Sequence, residues 1–515
     1  VLNGQDGVET KAPIGLDLLR SQARLGITKC RKFVRFAHAA HERIIKPFNH
    51  TYLNLHRAVV ERVFFVKEDG VFKSPPKPKA FARCMNGVQQ LLVKHLPSTT
   101  PWSYQEFLNS CKGCKRVRYE KAYDSLNGEG PITSKDAEVE VFIKYEKTDF
   151  TSKSDPVPRV ISPRSFRYNL ALGKFIKKLE PRLFKSLGKL FGMKTVIKGY
   201  NAYKSAAILR EKWDKFKDPV AIGLDASRFD QHVSLDALKW EHEIYLKCFA
   251  KSQHRKKLKR LLDMQLKNKC VGYAPDGRLS YTIRGTRMSG DMNTSLGNCV
   301  LMCSMLKQYS IDTGINFQLA NNGDDCVCFM ERRDLKTFQT GLFDWFYGMG
   351  FNMKVETPVF EFDKIEFCQT HPIFDGSRWV MTRDPFAILS KDTTMLAPYQ
   401  SIKQIKTWLA SVGGGGLRCT GGLPVAQEWY LKCCQLGGRA ISEKVLTWSM
   451  RMLMTNMDRS YGTVTPEARL SYWIAYGLTP DEQIELERYY ANLNIVLEPP
   501  RELEDEQFEF ASHGL

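Results

Sequence analysis

Residues 316–330 read NFQLANNGDDCVCFM, two short apolar runs joined by a polar step that carries Asn322, Gly323, Asp324 and Asp325. An Asn-Gly step at 322–323 between such runs predicts a β-hairpin, because both residues tolerate the backbone angles that tight turns demand. The predicted hairpin therefore presents adjacent carboxylates at its tip. A second apolar run, residues 219–224 (PVAIGL), has the length of a buried strand and ends on another acid, Asp225, within GLDASRFDQHV. Either acid alone reads equally well as a turn carboxylate facing water. That reading weakens for the pair, because each lies beside an apolar run, where an unpaired carboxylate is costly. Two strands of one sheet can bring Asp225 and Asp324 to a common edge, although 99 residues separate them.

Carboxylates converging from rigid elements are what magnesium needs, since it takes oxygen ligands and keeps several waters. Phosphoryl transfer between nucleotides uses two such cations, one at the attacking hydroxyl and one at the leaving pyrophosphate. Between the two acidic sites lies RGTRMSGDMNTSLGNCVLM, residues 284–302. Ser289-Gly290 supplies a flexible backbone step. Thr294 and Asn298 follow at i, i+4 spacing and share one face of a helix whose other positions are Leu296, Val300 and Leu301. The plainer alternative is a helix cap by Ser289 followed by ordinary surface polars.

Charge points to the partner. The 515 residues include 76 Lys plus Arg against 56 Asp plus Glu, a formal net of +20. Residues 498–515 hold six acids and one Arg, a local net of −5, which leaves +25 on the rest. A basic body with a short acidic end suits a polyanion, chiefly nucleic acid. With 43% hydrophobic residues the chain cannot be wholly disordered. Its 14 cysteines form no secreted-type framework, so reduced, mostly buried thiols and an intracellular compartment are expected. Cys111 and Cys114 make the only CxxC pair; Cys84 or His95 could complete a site, but no zinc is expected. No run approaches the length of a membrane span, and no signal peptide is evident. The chain opens on Val1 rather than Met, which suggests a portion of a longer product.

Residues 15–65 alternate basic and apolar positions at roughly helical spacing. Three prolines within 74–79 (SPPKPK) predict a loop. Residues 139–145 (VEVFIKY) predict a strand, and helices are expected over about 169–190 and 235–268. Strands are expected to stop after about Asp384, leaving a mostly helical last third interrupted by a flexible glycine loop at 413–416. Thr465-Pro466 and the capping box Thr479-Pro480-Asp481-Glu482 predict two helix starts there, and an extended tail is expected from Glu498. The run KSQHRKKLKR, 251–260, reads better as the wet face of a helix than as a template contact.

The order D-x4-D, SG-x3-T-x3-N, GDD resembles motifs A, B and C of viral RNA-dependent RNA polymerases, most closely those of plus-strand plant viruses of the tombusvirus and carmovirus kind (Tombusviridae). Residues 144–164 (KYEKTDFTSKSDPVPRVISPR) resemble the basic fingers motif F, GMGFNMKVETP motif D, and KIEFCQTHPIF the motif E hairpin. The likeness runs from about 140 to 385; beyond it, the GGGG and TGGLP stretch is similar to the family's thumb.

The resemblance implies an α+β closed right hand with an antiparallel palm sheet and a mostly helical thumb. It places an N-terminal extension and fingers in 1–218, palm in 219–248, a fingers insertion in 249–284, palm again in 285–385, and thumb plus acidic tail in 386–515. It implies that Asp225 and Asp324 bind both magnesium ions (manganese being an alternative), with Asp325 assisting. Asp230 is assigned to the ribose 2′-hydroxyl, with Ser289, Gly290, Thr294 and Asn298 around the same nucleotide pocket. Arg159 and Arg164 would grip the triphosphate, while Lys144, Lys147 and Lys153 line its approach. Lys354 would protonate the departing pyrophosphate, unless it is a surface lysine ending a helix. Cys368 would support the priming strand, unless it is simply a small buried thiol. RNA template and product and NTPs are the implied partners, with viral auxiliary and host proteins beside them. The expected location is the cytoplasmic face of host membranes, reached through a segment outside this chain, and primer-independent starts are expected. A reverse transcriptase shares the palm but would place bulk against the sugar; a non-enzymatic RNA-binding or coat protein would rest on charge alone.

Overall fold

The computed structural model describes residues 2–497 apart from 16, 38–42, 153, 397–400, 440, 443–445 and 447. Lys153 and the expected acidic tail thus lie outside the described residues. The chain mixes helix and sheet throughout. At its centre a four-stranded antiparallel sheet runs in the order Gln318–Asn322, Asp325–Glu331, Pro219–Ala226, Met353–Val355.

The apolar runs are continuous because this sheet is covered on both faces. Val220, Ile222, Leu224, Leu319, Cys326, Cys328 and Met330 pack on one side. There they meet the helices Phe166–Phe191, Leu235–Lys247 and Thr294–Thr313. Ala221, Ala320, Val327 and Phe329 face the other side, against the helix Ala202–Trp213 and the hairpin Thr370–Phe374/Trp379–Arg383. Period-two alternation is present, but it separates two cores rather than core from water.

A five-stranded sheet lies apart from the first, in the order Leu19–Ala23, Gly277–Arg284, Lys267–Ala274, Val139–Ile143, Val160–Ile161. Residues far apart in sequence meet here: the strands within 267–284 join those of the first 161 residues. The helix Tyr52–Val59 packs beneath, through Leu55, Ala58 and Val59.

Several expectations are corrected. Residues 15–65 do not begin as helix: Leu19–Ala23, Lys32–Arg35 and Ile45–Lys46 are strands, and helix starts only at Tyr52. Leu19 is buried because its strand gains a partner in Gly277–Arg284, a pairing that local spacing cannot reveal. The 235–268 stretch breaks into Leu235–Lys247 and Ser252–Asp263 before a strand begins at Lys267. Strands also continue past Asp384, where Thr394–Met395 pairs with Val34 and Arg35.

The glycines at 413–416 are not a loop; they lie inside the helix Ile402–Thr420. A Cβ on Gly416 would fall 2.2 Å from Cδ1 of Tyr430, and one on Gly413 2.7 Å from the Tyr430 carbonyl. The helix Ala426–Gly437 therefore packs at a distance only glycine permits. Both helix starts have the expected caps, and at Thr479 the reciprocal bonds with Glu482 complete the box. No helix among the described residues is long and apolar enough to cross a membrane. Cys111 is buried and Cys114 exposed, and neither is in a disulfide.

Candidate active site

Register places the acids. Asp225 lies opposite Asp325 on one side and opposite Lys354 on the other, so the three occupy adjoining positions at one end of the central sheet. Asn322 pairs with Asp325, which leaves Gly323 and Asp324 as a two-residue turn. Gly323 has φ +86°, the left-handed conformation that favours glycine at the first turn position. Asn321 clamps this turn, donating to the Gly323 carbonyl at 2.7 Å and accepting from its amide at 3.2 Å. Asp225 and Asp324 are exposed at the sheet end, while Asp325 is half-buried.

A second hairpin braces the acids from the side. Phe367 and Thr370 bridge across Cys368 and Gln369, both at positive φ (+54° and +59°). The Cys368 amide donates to Asp325 Oδ2 at 2.9 Å, and Asn322 Nδ2 donates to Cys368 Sγ at 3.0 Å. Burial pushes the Asp325 carboxyl up to about 7, opposed by the Cys368 amide and reinforced by Asp324 and Glu356. Burial pushes the Cys368 thiol up as well.

Asp230 stands in the short helical turn Phe229–His232. Its Oδ1 accepts from Asn298 Nδ2 at 2.9 Å. Behind that contact lies a network of buried side chains. Asn298 Oδ1 accepts from Arg287 Nε at 3.1 Å, Arg287 is ion-paired with Glu241, and Glu241 also accepts from Tyr245 at 2.7 Å and Asn293 at 3.2 Å. Burial raises the Asp230 carboxyl to about 6; Asn298 and Arg287 work against this, Asp324 works with it, and Arg159 lowers it.

Arg287 and Glu241 were missed by sequence reasoning, since each is one charge among several polar neighbours in its own segment. Lys198 was missed too. It follows the segment whose Ile197 amide bonds the Asn321 carbonyl, and its Nζ lies 3.7 Å from where a Gly323 Cβ would stand.

The other expected residues divide. Thr294 shares the helix face of Asn298 but donates to the Met288 carbonyl at 2.8 Å. Ser289 donates to the Val160 carbonyl at 3.1 Å and caps no helix; the cap position of Thr294–Thr313 is Asn293, without a side-chain bond. Gly290 is less a flexible step than a point of close approach, since a Cβ there would lie 2.5 Å from Pro163 Cα. Lys354 belongs to the strand Met353–Val355, not to a helix end.

Lys144 and Arg159 both pair with Glu146, at 2.7 and 3.4 Å, and Arg159 is exposed. The Arg164 guanidinium is buried and bonded to Asp291 at 2.5 Å, to Asn268, and to the Ala137 carbonyl. Lys147 donates to the Lys391 carbonyl and lies 5.6 Å from the Trp408 ring, and burial lowers its ammonium to about 8. The basic run 251–260 lies mainly on the helix Ser252–Asp263, with Leu258, Leu261 and Leu262 as its buried side.

Comparison with known proteins accords with this geometry. The family described as viral RNA dependent RNA polymerase matches residues 18–498. The chain is 47% identical over 516 residues to the RNA-directed RNA polymerase of Oat chlorotic stunt virus, covering 96% of this chain and 68% of that protein. Identity is 43% with the RNA-directed RNA polymerase of Tobacco necrosis virus strain A, over 90% of this chain and 64% of that protein. It is 42% with that of Carnation mottle virus, over 87% and 58%. The chain thus spans roughly three-fifths of the length of these relatives. With a family match over residues 18–498 and relatives of this identity, the chain belongs to the viral RNA-dependent RNA polymerase family.

Proposed function

We propose that this chain is the catalytic portion of a plus-strand virus replicase, adding NTPs to an RNA 3′ end under the direction of an RNA template. The observation that carries the reading is the juxtaposition of Asp225, Asp325 and the Asp324 turn at one sheet end with the Asp230–Asn298 pair beside it. In this reading the fold is a closed right hand. The four-stranded sheet is the palm (219–248 and 285–385), the five-stranded sheet and its helices are fingers (from 1–218 and 249–284), and the helices after 386 are the thumb.

The candidate donors are carboxylate oxygens, the type a hard divalent cation takes, although among the described residues no three such side chains are gathered as a ready metal site. Asp225 and Asp324, with Asp325 auxiliary, would hold Mg²⁺ or Mn²⁺. When bound, the metal would supply charge neutralisation at the attacking hydroxyl and at the triphosphate. The 3′-oxygen forms its bond to the α-phosphorus as the bond to pyrophosphate breaks. Lys354, in register with Asp225, would hand a proton to the leaving group.

Asp230 accepts from the 2′-hydroxyl in a pose fixed by Asn298, with Ser289, Gly290 and Thr294 shaping the pocket wall. Arg159 meets the triphosphate, Lys144 assists, and the Cys368 turn supports the priming strand. Primer-independent initiation, auxiliary viral and host partners, and a cytoplasmic membrane location through a segment outside this chain complete the proposal. The test is template-dependent extension with purified chain, RNA and Mg²⁺, run beside Asp324→Ala. The variant should lose incorporation and retain RNA affinity, which basic residues supply. A preference for deoxynucleotides would turn the reading toward a reverse transcriptase.

A further inference from the structure

The helix Tyr52–Val59 runs directly into a single π-helical turn, Val60–Phe64. In an α-helix the Phe65 amide would bond the Glu61 carbonyl, four residues back. Here it bonds the Val60 carbonyl at 3.0 Å, one residue further back, and the Glu61 carbonyl is released from that bond. Arg228 takes the released oxygen and also donates to the Phe65 carbonyl at 3.4 Å, where Gln231 Nε2 joins it at 2.8 Å. Arg228 and Gln231 bracket Phe229 and Asp230. Arg228 stands at φ +51°, a left-handed conformation that a residue with a Cβ keeps only when its surroundings enforce it.

The same turn holds a second segment. Arg62 donates through Nε to the Pro158 carbonyl at 2.8 Å and through its terminal nitrogen to the Val157 carbonyl at 2.7 Å. These carbonyls immediately precede Arg159. One turn earlier Arg57 reaches Asp155 at 2.5 Å and Glu61 at 3.1 Å, and Thr10 donates to Glu61 at 2.8 Å. Burial, together with the nearby Arg228 and Arg159, lowers the Arg62 guanidinium to about 9. The turn therefore grips the segment bearing Asp230 with one set of groups and the segment bearing Arg159 with another.

We propose that Arg62 is a positioning residue for the incoming nucleotide, fixing the backbone from which Arg159 reaches the triphosphate. Through the π turn and Arg228, it keeps that backbone in register with the Asp230 segment that reads the sugar. The inference rests on the triphosphate role given to Arg159 above. A guanidinium fork spans two consecutive carbonyls, which a lysine ammonium cannot do in a fixed geometry. A carbonyl freed by a π turn is also the kind of acceptor such local irregularities supply at functional sites.

The experiment is a double-mutant cycle in template-dependent incorporation, with the full chain, RNA and Mg²⁺, comparing the unsubstituted protein, R62Q, R159Q and R62Q/R159Q. R62Q should raise the KM for NTP about tenfold, with a smaller change in kcat and unchanged RNA affinity. In the R159Q background the same substitution should shift KM by less than about twofold, because Arg62 acts through Arg159. If R62Q folds poorly, R62K replaces it in the cycle and should give a smaller KM shift that likewise disappears beside R159Q. Equal KM shifts in both backgrounds, or a lowered melting temperature with no KM change, would overturn the inference. Failure of the polymerase assignment looks different: the unsubstituted chain would incorporate nothing, which overturns both.

Discussion

Asn298 Nδ2 donates to Asp230 Oδ1 at 2.9 Å while Asn298 Oδ1 accepts from Arg287 Nε at 3.1 Å, so the orientation of the amide is fixed from behind by a buried cation. An asparagine held this way presents its NH₂ to Asp230 and cannot flip without stranding the Arg287 donor. Asn298→Ala removes both contacts and frees the Asp230 carboxylate to move. The ratio of kcat/KM for CTP over dCTP should fall by about 10- to 100-fold, the worth of a hydrogen bond to a charged group. Equal losses with both nucleotides would count against a role in reading the sugar.

Metal binding should depend on pH in a defined direction. Without metal the Asp325 carboxyl sits up at about 7, displaced first by burial. A cation binds the ionised carboxylates, so a proton on Asp325 competes with it below that value. Affinity for Mn²⁺ should therefore rise as pH increases towards neutrality and flatten above it. Near pH ~6, binding should release up to about one proton, seen as a dependence of the calorimetric heat on buffer ionisation enthalpy. Asp325→Asn should abolish most of that release, and an affinity constant across this range would refute the assignment.

The Arg287–Glu241 ion pair is fully buried. Arg287→Met leaves Glu241 charged and uncompensated among Tyr245 and Asn293, which should cost about 3–5 kcal/mol. Replacing both partners with apolar residues of similar volume should restore much of that stability, because the desolvation of two charges is then avoided. The melting temperatures of R287M and R287M/E241M check this. Ribonucleotide selectivity should remain impaired in the double variant, since Asn298 still lacks its rear donor.

What the sequence made legible was local. The hairpin signalled at Asn322-Gly323, the buried strand carrying Asp225 and the Thr479 capping box are each written in a few adjacent residues, although the turn itself falls one position later, on Gly323 and Asp324. Arg164 shows the opposite case. In the chain it is one more base in a basic stretch, but Asp291, 127 residues away, withdraws it from solvent. Lys147 is drawn off in the same way by the Lys391 carbonyl. Arg287 carries no local mark that distinguishes it from a surface base, because its partner Glu241 lies 46 positions earlier. The π turn at Val60–Phe64 was hidden too, since it is held by Arg228 from a remote segment rather than by its own residues.

The glycines inside the helix Ile402–Thr420 separate packing from propensity. Intrinsically each glycine in a helix interior costs about 1 kcal/mol relative to alanine. A Cβ at Gly414 would meet only Ile441 Cδ1, at an ordinary 3.7 Å. Gly414→Ala should therefore stabilise the chain by about 0.5–1 kcal/mol. At Gly416 the added carbon would lie 2.2 Å from Cδ1 of Tyr430, whose ring is fully buried and whose hydroxyl is bound by Asp392 at 2.6 Å. That ring cannot yield without breaking the contact, which also holds Arg383 at 2.6 Å on the same carboxylate. Gly416→Ala should thus lose about 1–3 kcal/mol despite its better helix propensity. Thermal unfolding of the two single variants, two positions apart on the same helix, should shift in opposite directions. Parallel shifts would mean that the approach of the Ala426–Gly437 helix does not explain why glycine stands here.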